Sequence, residues 1–186
     1  MSDTTFVDQV TVIETDWLQD VNDTVYDILG NPSSVSELLT TLGSAIPTFQ
    51  AARSASISDS LVHRLFWNIE EFDNTSAFTH DADGSNDTAE NRWTPQVAGK
   101  YYVYSMIQAE SPSDGDVIVL WIYKNGSSVY YADFVCNGIY DQCVNIDAVI
   151  DMNGTTDYIE IWAKHADCGL AAQQKSNYFG AFWVAP

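Results

Sequence analysis

The chain has 186 residues, a length that fits one ordinary domain with a small attachment and excludes two large domains. Apolar residues make up 46% and aromatic residues 13% of the sequence, which excludes disorder of the whole chain. The 26 acidic residues outnumber the 7 Lys and Arg residues, and the formal net charge of −19 disfavours nucleic acid as a partner because phosphate groups would repel it.

Residues 1–43 are predicted to form a short helical attachment segment. A 3-4-3 spacing of apolar residues indicates an amphipathic helix, which a Gly-Asn-Pro turn at residues 30–32 ends. The apolar stripe contains Trp17, Leu18, Val21, Val25 and Ile28. A capping box at residues 34–37 and a glycine at position 43 bound a second short helix. Because neither helix can bury its apolar face alone, they must pack on the rest of the chain or anchor it in a larger assembly.

The start of the chain has no basic region followed by an apolar one, so we expect no secretory signal peptide. The longest uncharged apolar run, residues 117–123, is far shorter than the roughly 20 residues that span a bilayer, so we expect no membrane insertion.

Residues 44–60 are predicted to be a linker that feeds a first strand, and residues 61–186 follow the period of β-strands. Nine further strands are predicted at residues 65–69, 77–79, 91–93, 101–109, 117–124, 128–135, 144–150, 158–164 and 178–184. Asn-Gly dipeptides at residues 125–126 and 153–154 each predict a tight hairpin. Two of the strands, around residues 101–107 and 117–123, are apolar on both faces. The second apolar face predicts a partner surface and hence an oligomer.

Three cysteines, Cys136, Cys143 and Cys168, form too small and odd a set for a complete disulfide framework. A disulfide bridge between Cys136 and Cys143 is one alternative, and a zinc site that combines the three thiols with His165 is another. Ordinary buried free thiols are the simpler interpretation, since no pair has the C-x-x-C spacing.

Possible chemistry is concentrated in the acidic loop at residues 81–87. Asp81, Asp83 and Asp87 are spaced closely enough to hold a calcium ion, although the loop lacks the glutamate that completes an EF-hand, and the sequence requires no cofactor. None of the three histidines lies in a nucleophile or metal motif, so we expect no enzyme. An acidic chain could still supply a glycosidase-type pair of carboxylates, which leaves a polysaccharide depolymerase as a third hypothesis.

The sequence Asn-Arg-Trp-Thr-Pro-Gln-Val-Ala-Gly-Lys-Tyr-Tyr at residues 91–102 resembles the central motif of complement C1q-type globular domains. The flanking segments agree in order, from Phe-Asp-Asn at residues 72–74 to Ser-Asn-Tyr-Phe-Gly-Ala-Phe at residues 176–182. Asn91 stands where that family often has glycine, and Trp93 where it has phenylalanine. The resemblance covers about residues 51–186. It implies a mainly β fold, a ten-stranded antiparallel jelly-roll sandwich of the tumour-necrosis-factor (TNF) type, which in that family assembles as a tight homotrimer.

Aromatic residues are the main candidates for contact surfaces. Six are expected in the core or in the trimer interface: Tyr102, Tyr104, Trp121, Tyr123, Phe179 and Phe182. Four more are candidates for binding a host surface glycan or protein, each of which could instead belong to the core or the interface: Tyr130, Tyr131, Tyr140 and Trp162.

The segment at about residues 4–30, from Thr-Thr-Phe-Val-Asp to the first helix, resembles the segment that opens many tail-fibre, spike and other virion proteins of tailed bacteriophages. This resemblance implies a module that attaches to other virion tail or capsid proteins and carries an exchangeable head. We therefore expect a structural protein made in the host cytoplasm and located in the virion, namely a trimeric tail fibre, spike or appendage whose head contacts the host surface. The alternative is a capsid- or tail-decorating adaptor that uses the jelly roll only for assembly.

Overall fold

A computed structural model describes residues 46–54, 62–79, 90–165, 169–170 and 174–186. In these residues the strands are β1 (Thr48–Ala52), β2 (His63–Arg64), β3 (Ile69–Asp73), β4 (Phe78–Thr79), β5 (Arg92–Trp93), β6 (Gly99–Glu110), β7 (Asp114–Lys124), β8 (Ser127–Asn137), β9 (Gln142–Met152), β10 (Ile159–His165), β11 (Gly169–Leu170) and β12 (Tyr178–Ala185). A short 3₁₀ helix, Gln174–Ser176, precedes β12.

The strands form two sheets in which every pairing is antiparallel. Sheet A runs β9-β6-β12-β1-β3, with β11 beside the end of β6. Sheet B runs β4-β5-β10-β7-β8, with β2 also beside β10. The chain changes sheet between β6 and β7, between β8 and β9, and again between β9 and β10, which is the path of a jelly roll. The predicted fold class, mainly β with a jelly-roll sandwich, is confirmed.

An aromatic core separates the two sheets. The ring of Phe49 stacks on Trp93 with centroids 4.9 Å apart and meets the edge of Phe179 at 4.8 Å. All three side chains are fully buried. Burial of a side chain of this size contributes about 2 to 3 kcal/mol, so these rings are a large part of what holds the sheets together.

The two Asn-Gly dipeptides have different roles. Asn125 and Gly126 both have positive φ angles, 53° and 75°, and they join the paired strands β7 and β8 as predicted. The hairpin predicted at residues 153–154 is wrong, because β9 pairs with β6 in sheet A while β10 pairs with β7 in sheet B. There the Asn153 side chain accepts hydrogen bonds from the backbone N–H groups of Thr155, Thr156 and Asp157, and it shapes a turn between sheets.

The single strand predicted at residues 65–69 is also wrong. The chain passes there from β2 in sheet B to β3 in sheet A, and Leu65 and Trp67 are fully buried on the way. Their backbone N–H groups donate to the Ile161 carbonyl at 2.8 Å and to the Asn91 side-chain oxygen at 2.6 Å. The alternating apolar residues at positions 65–69 therefore arise from side chains that insert into the core, and not from a paired strand. This division of one predicted strand, with the addition of β11, gives twelve strands in the described residues where the sequence predicted ten.

Several predicted features lie outside the described residues. They are the helical segment with Trp17, Leu18, Val21, Val25 and Ile28, the loop with Asp81, Asp83 and Asp87, and Cys168. Within the described ranges, no helix has the length and apolar character needed to cross a membrane.

Candidate assembly and binding surfaces

The motif that carries the family resemblance builds the core. Trp93 is fully buried and meets the edge of Tyr101 at 5.0 Å. The Tyr101 hydroxyl donates a hydrogen bond of 2.6 Å to the Val97 carbonyl, and burial raises the pKa of Tyr101 to about 12. Gly99 has a φ of 146°, and a side chain there would lie 2.5 Å from the Ala185 carbonyl oxygen. These residues fix the start of β6, and their side chains are taken up by packing and hydrogen bonds within the domain.

The outer surface of sheet A carries a cluster of aromatic rings. Residues of β6 alternate between buried and half-exposed, so Tyr102 and Tyr104 point away from the core. Phe182 of β12 lies opposite Tyr102, and their ring centroids are 5.2 Å apart. Tyr178, also on β12, lies 6.0 Å from Tyr104. We call these four residues the aromatic face.

Gly180 holds the centre of the aromatic face in position. It lies opposite Tyr104 in the pairing of β12 with β6, and an added Cβ atom would collide with the tyrosine ring and lie 2.8 Å from the Phe49 carbonyl oxygen. Without a side chain at this position, the ring can lie across the β12 backbone. The Tyr104 hydroxyl then donates to the Gln50 side chain at 3.0 Å, which fixes its direction.

A pocket of about 370 Å³ opens between the aromatic face and β9. Its walls are Tyr102, Tyr104, Tyr178, Phe182, Ser105, Asn145, Ile146 and Asp147. Desolvation and a hydrogen bond to Asp147 raise the pKa of Tyr102, and desolvation together with the neighbouring Tyr178 raises the pKa of Tyr104. Both hydroxyls therefore stay protonated near neutral pH and act as hydrogen-bond donors.

Exposed apolar side chains also line both faces of β8, the edge strand of sheet B. Five large apolar side chains of this strand are each at least 41% exposed: Val129, Tyr130, Tyr131, Phe134 and Val135. We call them the edge patch. The edge patch belongs to the opposite sheet from the aromatic face, so the two surfaces share no residue.

The outer surface of sheet B is also aromatic, but its rings are packed on one another. Trp162 stacks on Tyr123 with centroids 4.9 Å apart, and Trp121 lies opposite both Trp162 and Tyr131 in the strand register. The six aromatics predicted for the core or the interface are therefore not brought together. Phe179 is in the core, three lie on the aromatic face, and Trp121 and Tyr123 lie on the other sheet.

A buried ion cluster on sheet B was not predicted from the sequence. Glu160 is only 1% exposed and receives the Arg64 guanidinium at 3.0 Å and the Arg92 guanidinium at 2.7 Å. The indole N–H of Trp162 donates to its other oxygen at 3.2 Å, and Arg92 lies 4.1 Å from the centre of the Tyr158 ring. The sequence does show one carboxylate, Glu160, inside an apolar strand, which could have indicated a buried ion pair. It does not show which arginines pair with this carboxylate.

Tyr140 lies apart from the other candidate binding residues, in the loop between β8 and β9. It is 78% exposed and lines a cleft of about 620 Å³ with Ser111, Pro112, Gly138, Ile139 and Asp141. The carboxylate of Asp141 accepts from the Ser111 backbone N–H at 2.9 Å and from the Gln108 side chain at 3.1 Å. These bonds join the two loops that form the cleft.

The two described cysteines are free thiols, which overturns the possible bridge between them. Cys136 is buried, whereas Cys143 is exposed on β9 opposite Gln108, so the two side chains occupy different environments. His165 is fully buried and edge-on to His63 at 5.8 Å. In the part of the chain that the structure describes, no three His, Cys, Asp or Glu side chains are grouped so that they could hold a metal.

Comparison with known proteins identifies the fold. No family model and no curated protein matches the chain. Among solved structures, murine APRIL matches with a TM-score of 0.56 at 11% identity, covering 75% of this chain and 99% of that one. The globular domain of zebrafish complement 1qA matches with a TM-score of 0.53 at 14% identity, covering 74% of this chain and 97% of that one. The Eiger TNF from S. frugiperda matches with a TM-score of 0.55 at 12% identity, covering 75% of this chain and 93% of that one. At these identities the likeness shows the fold, and the described domain is a jelly roll of the TNF and C1q type.

Proposed function

We propose that this chain is a non-catalytic structural protein of a tailed-bacteriophage virion, which assembles as a homotrimer through its aromatic face and presents its jelly-roll head to the host surface. The observation that carries the assembly part is the aromatic face itself. Four large rings gather on the outside of a sheet, and Phe182 among them is 43% exposed in the single chain. Exposed apolar patches of this kind mark interaction sites.

A second copy of the same chain is the occupant that the surface supports best. The chain carries two separate apolar surfaces, the aromatic face on sheet A and the edge patch on β8. When one surface binds the other on a neighbour, the contact is heterologous, and it closes into a ring if the rotation permits. The C1q-type resemblance of the sequence implies that this ring has three members.

Charge also favours apolar contact between copies. Each chain has a net charge of −19 and 7 cationic side chains, and within the described ranges Arg64, Arg92, Lys100 and Lys124 form ion pairs. Few cations remain to bridge two acidic surfaces. Hydrophobic burial and tyrosine hydroxyl groups are therefore the available means of association.

The virion part of the proposal rests on the resemblance of residues 4–30 to phage attachment segments. It is consistent with a head whose strongest sequence motif builds the core, and whose exposed aromatic residues include Tyr140 in a loop and Tyr130 and Tyr131 on an edge strand. The proposed ring covers the edge patch, so the Tyr140 cleft, which shares no residue with the aromatic face or the edge patch, is the surface left for a host glycan or protein.

Assembly is tested by sedimentation velocity on the full chain at micromolar concentration. The expected species has three times the 20.6 kDa mass of one chain, and a monomer at these concentrations would contradict the proposal. Host contact is tested by adding the protein to host cells before infection. Saturable binding that blocks phage adsorption supports the host-contact role, whereas a stable trimer that binds no cells favours the decorating or adaptor role.

A further inference from the structure

We propose that the Tyr140 cleft, between the β6–β7 loop and the β8–β9 loop, binds a neutral hexose residue, which stacks on Tyr140 and donates hydrogen bonds to Asp141. The inference rests on the proposed function in one respect, because the hexose is then part of a host surface glycan. It names the class of ligand for a cleft that the proposed function leaves to a glycan or a protein. The cleft shares no residue with the aromatic face or the edge patch.

The cleft presents a large aromatic side chain to solvent. Tyr140 is the most exposed of the large apolar side chains in the part of the chain that the structure describes, and Ile139 beside it is also exposed. A tyrosine offers a flat apolar ring with a polar tip, and it loses little conformational freedom when a ligand covers it. The C–H groups on one face of a hexose can pack against the electronegative face of such a ring. Tyr140 therefore supplies a surface on which a sugar ring can stack.

Contacts within the domain hold the β8–β9 loop in position before any ligand binds. The Asn137 side chain accepts a hydrogen bond of 3.2 Å from the Ile139 backbone N–H, and Asp141 is bonded to the β6–β7 loop. Gly138 has a φ of 68°, and a Cβ atom there would lie 2.6 Å from the Asp114 backbone nitrogen, so this loop packs closely on the start of β7. A preformed loop has less conformational entropy to lose on binding, which favours the capture of a small ligand.

The polar groups of the cleft suit the hydroxyl groups of a sugar. One Asp141 oxygen accepts from the Ser111 backbone N–H and the other from the Gln108 side chain. A carboxylate can accept about four hydrogen bonds, so about two acceptor positions are left for the hydroxyl groups of a ligand. Hydrogen bonds to a charged acceptor are stronger than those between neutral groups. Ser111 and Gly138 also line the cleft and add a hydroxyl group and exposed backbone.

The charge and size of the cleft favour a neutral sugar over other ligands. Asp141 carries the one charge among the lining residues, and with a chain charge of −19 it repels acidic sugars. Tyr140 supplies the one aromatic ring of the lining, whereas an organic cation is held by a cage of several rings. The volume of about 620 Å³ lies within the range of about 300 to 1,000 Å³ that is typical of small-ligand sites. A stable protein interface covers about 800 Å² on each partner, which is more surface than a cleft of this size offers.

Saturation-transfer NMR on the full chain tests the site with the methyl glycosides of glucose, galactose, mannose and glucuronic acid. We expect at least one of the three neutral glycosides to bind, with a dissociation constant on the order of 1 mM because one sugar ring is a small ligand, and the acidic glycoside to show no binding. Tyr140→Ala should weaken binding at least about tenfold, whereas Tyr140→Phe keeps the ring and should stay within about threefold of the original affinity. The matched control is Phe72→Ala, which removes an exposed aromatic ring on β3, outside the cleft, and should leave binding unchanged.

Binding of none of the three neutral glycosides, equal binding of the acidic one, or equal effects of Tyr140→Ala and Phe72→Ala would overturn the inference. Sedimentation velocity and phage adsorption on the same samples keep the two proposals distinct. Hexose binding by a monomer supports the cleft and refutes the assembly. A trimer that blocks phage adsorption but binds none of the glycosides supports the proposed function and refutes the hexose site.

Discussion

Replacement of Phe182 by alanine should weaken self-association strongly. Phe182 is 43% exposed in the single chain. A phenylalanine side chain presents roughly 200 Å², so about 85 Å² is available for a second copy to cover. At about 25 cal/mol per Å², its loss should cost about 2 kcal/mol at each contact.

A closed ring of three copies repeats this contact three times, so the loss per trimer is about 6 kcal/mol, or roughly 10⁴-fold in the association constant. Because the midpoint concentration of a monomer–trimer equilibrium varies as the square root of that constant, the midpoint should rise about 100-fold. Sedimentation velocity over a dilution series measures the midpoint directly.

The matched control is Ile139→Ala, which removes an apolar side chain that is 65% exposed in the loop cleft, away from the aromatic face. It should leave the midpoint unchanged. Thermal unfolding of both variants checks that the single domain stays folded, since Phe182 also packs against Tyr102 within the chain. If the two variants shift the midpoint equally, the aromatic face is not the assembly surface.

Three further predictions concern the ion pairs and the charge of the chain. Glu160→Gln should lower the free energy of unfolding in urea by about 3 kcal/mol, because the Arg64 and Arg92 guanidinium groups lose their shared buried carboxylate; a loss below about 1 kcal/mol would contradict this. Burial alone would raise the pKa of Asp157, but hydrogen bonds from Lys124 and its neighbours bring it below its usual value. Its contribution to stability is therefore complete above the unfolded-state pKa and is lost as the pH falls through the lower folded-state pKa. Asp157→Asn should destabilise the protein at neutral pH, and denaturation at successively lower pH should show the difference closing; a constant difference would refute the assignment. Added salt should strengthen self-association, since screening reduces repulsion between chains of charge −19, whereas dissociation by salt would indicate an interface dominated by ion pairs.

The long strands could be predicted from the sequence because alternation and turn chemistry are local properties. Residues of β6 alternate between core and surface as their apolar pattern predicts, and the positive φ angles of Asn125 and Gly126 are those that an Asn-Gly hairpin requires. Asn91 is a further case. Its φ of 56° lies in the left-handed region, which glycine adopts freely and asparagine tolerates better than most residues.

Tertiary structure decided the features that the sequence did not predict. The dipeptide at residues 153–154 is Asn-Gly, like the one at residues 125–126, but it does not form a hairpin. Its glycine packs against another loop, and a Cβ atom at Gly154 would lie 2.5 Å from the Val97 carbonyl carbon. The glycine is therefore required for close backbone approach between loops. Similarly, apolar alternation at residues 65–69 arises because Leu65 and Trp67 insert between the sheets without pairing as a strand.

The candidate site was predictable in part for the same reason. Tyr102, Tyr104 and Phe182 follow from strands that are aromatic on the face away from the core. Asp147 did not follow, because its position beside those rings depends on the register between β6 and β9, which sequence periodicity alone does not fix. Glu160 was missed likewise, since its two arginines come from β2 and β5.

Charge and apolar surface have separate roles in this chain. Arg64, Arg92 and Lys124 are engaged in buried or half-buried ion pairs within the domain, so they stabilise the head and contribute little to contacts between copies. The excess of acidic groups keeps most of the surface mutually repulsive, so association is favourable only where apolar area is concentrated. The aromatic face and the edge patch are such areas, and they lie on different sheets. Repulsion elsewhere therefore restricts association to these apolar areas. In the assembly that we propose, the two unlike surfaces meet, and such a contact closes into a ring when the rotation between copies permits.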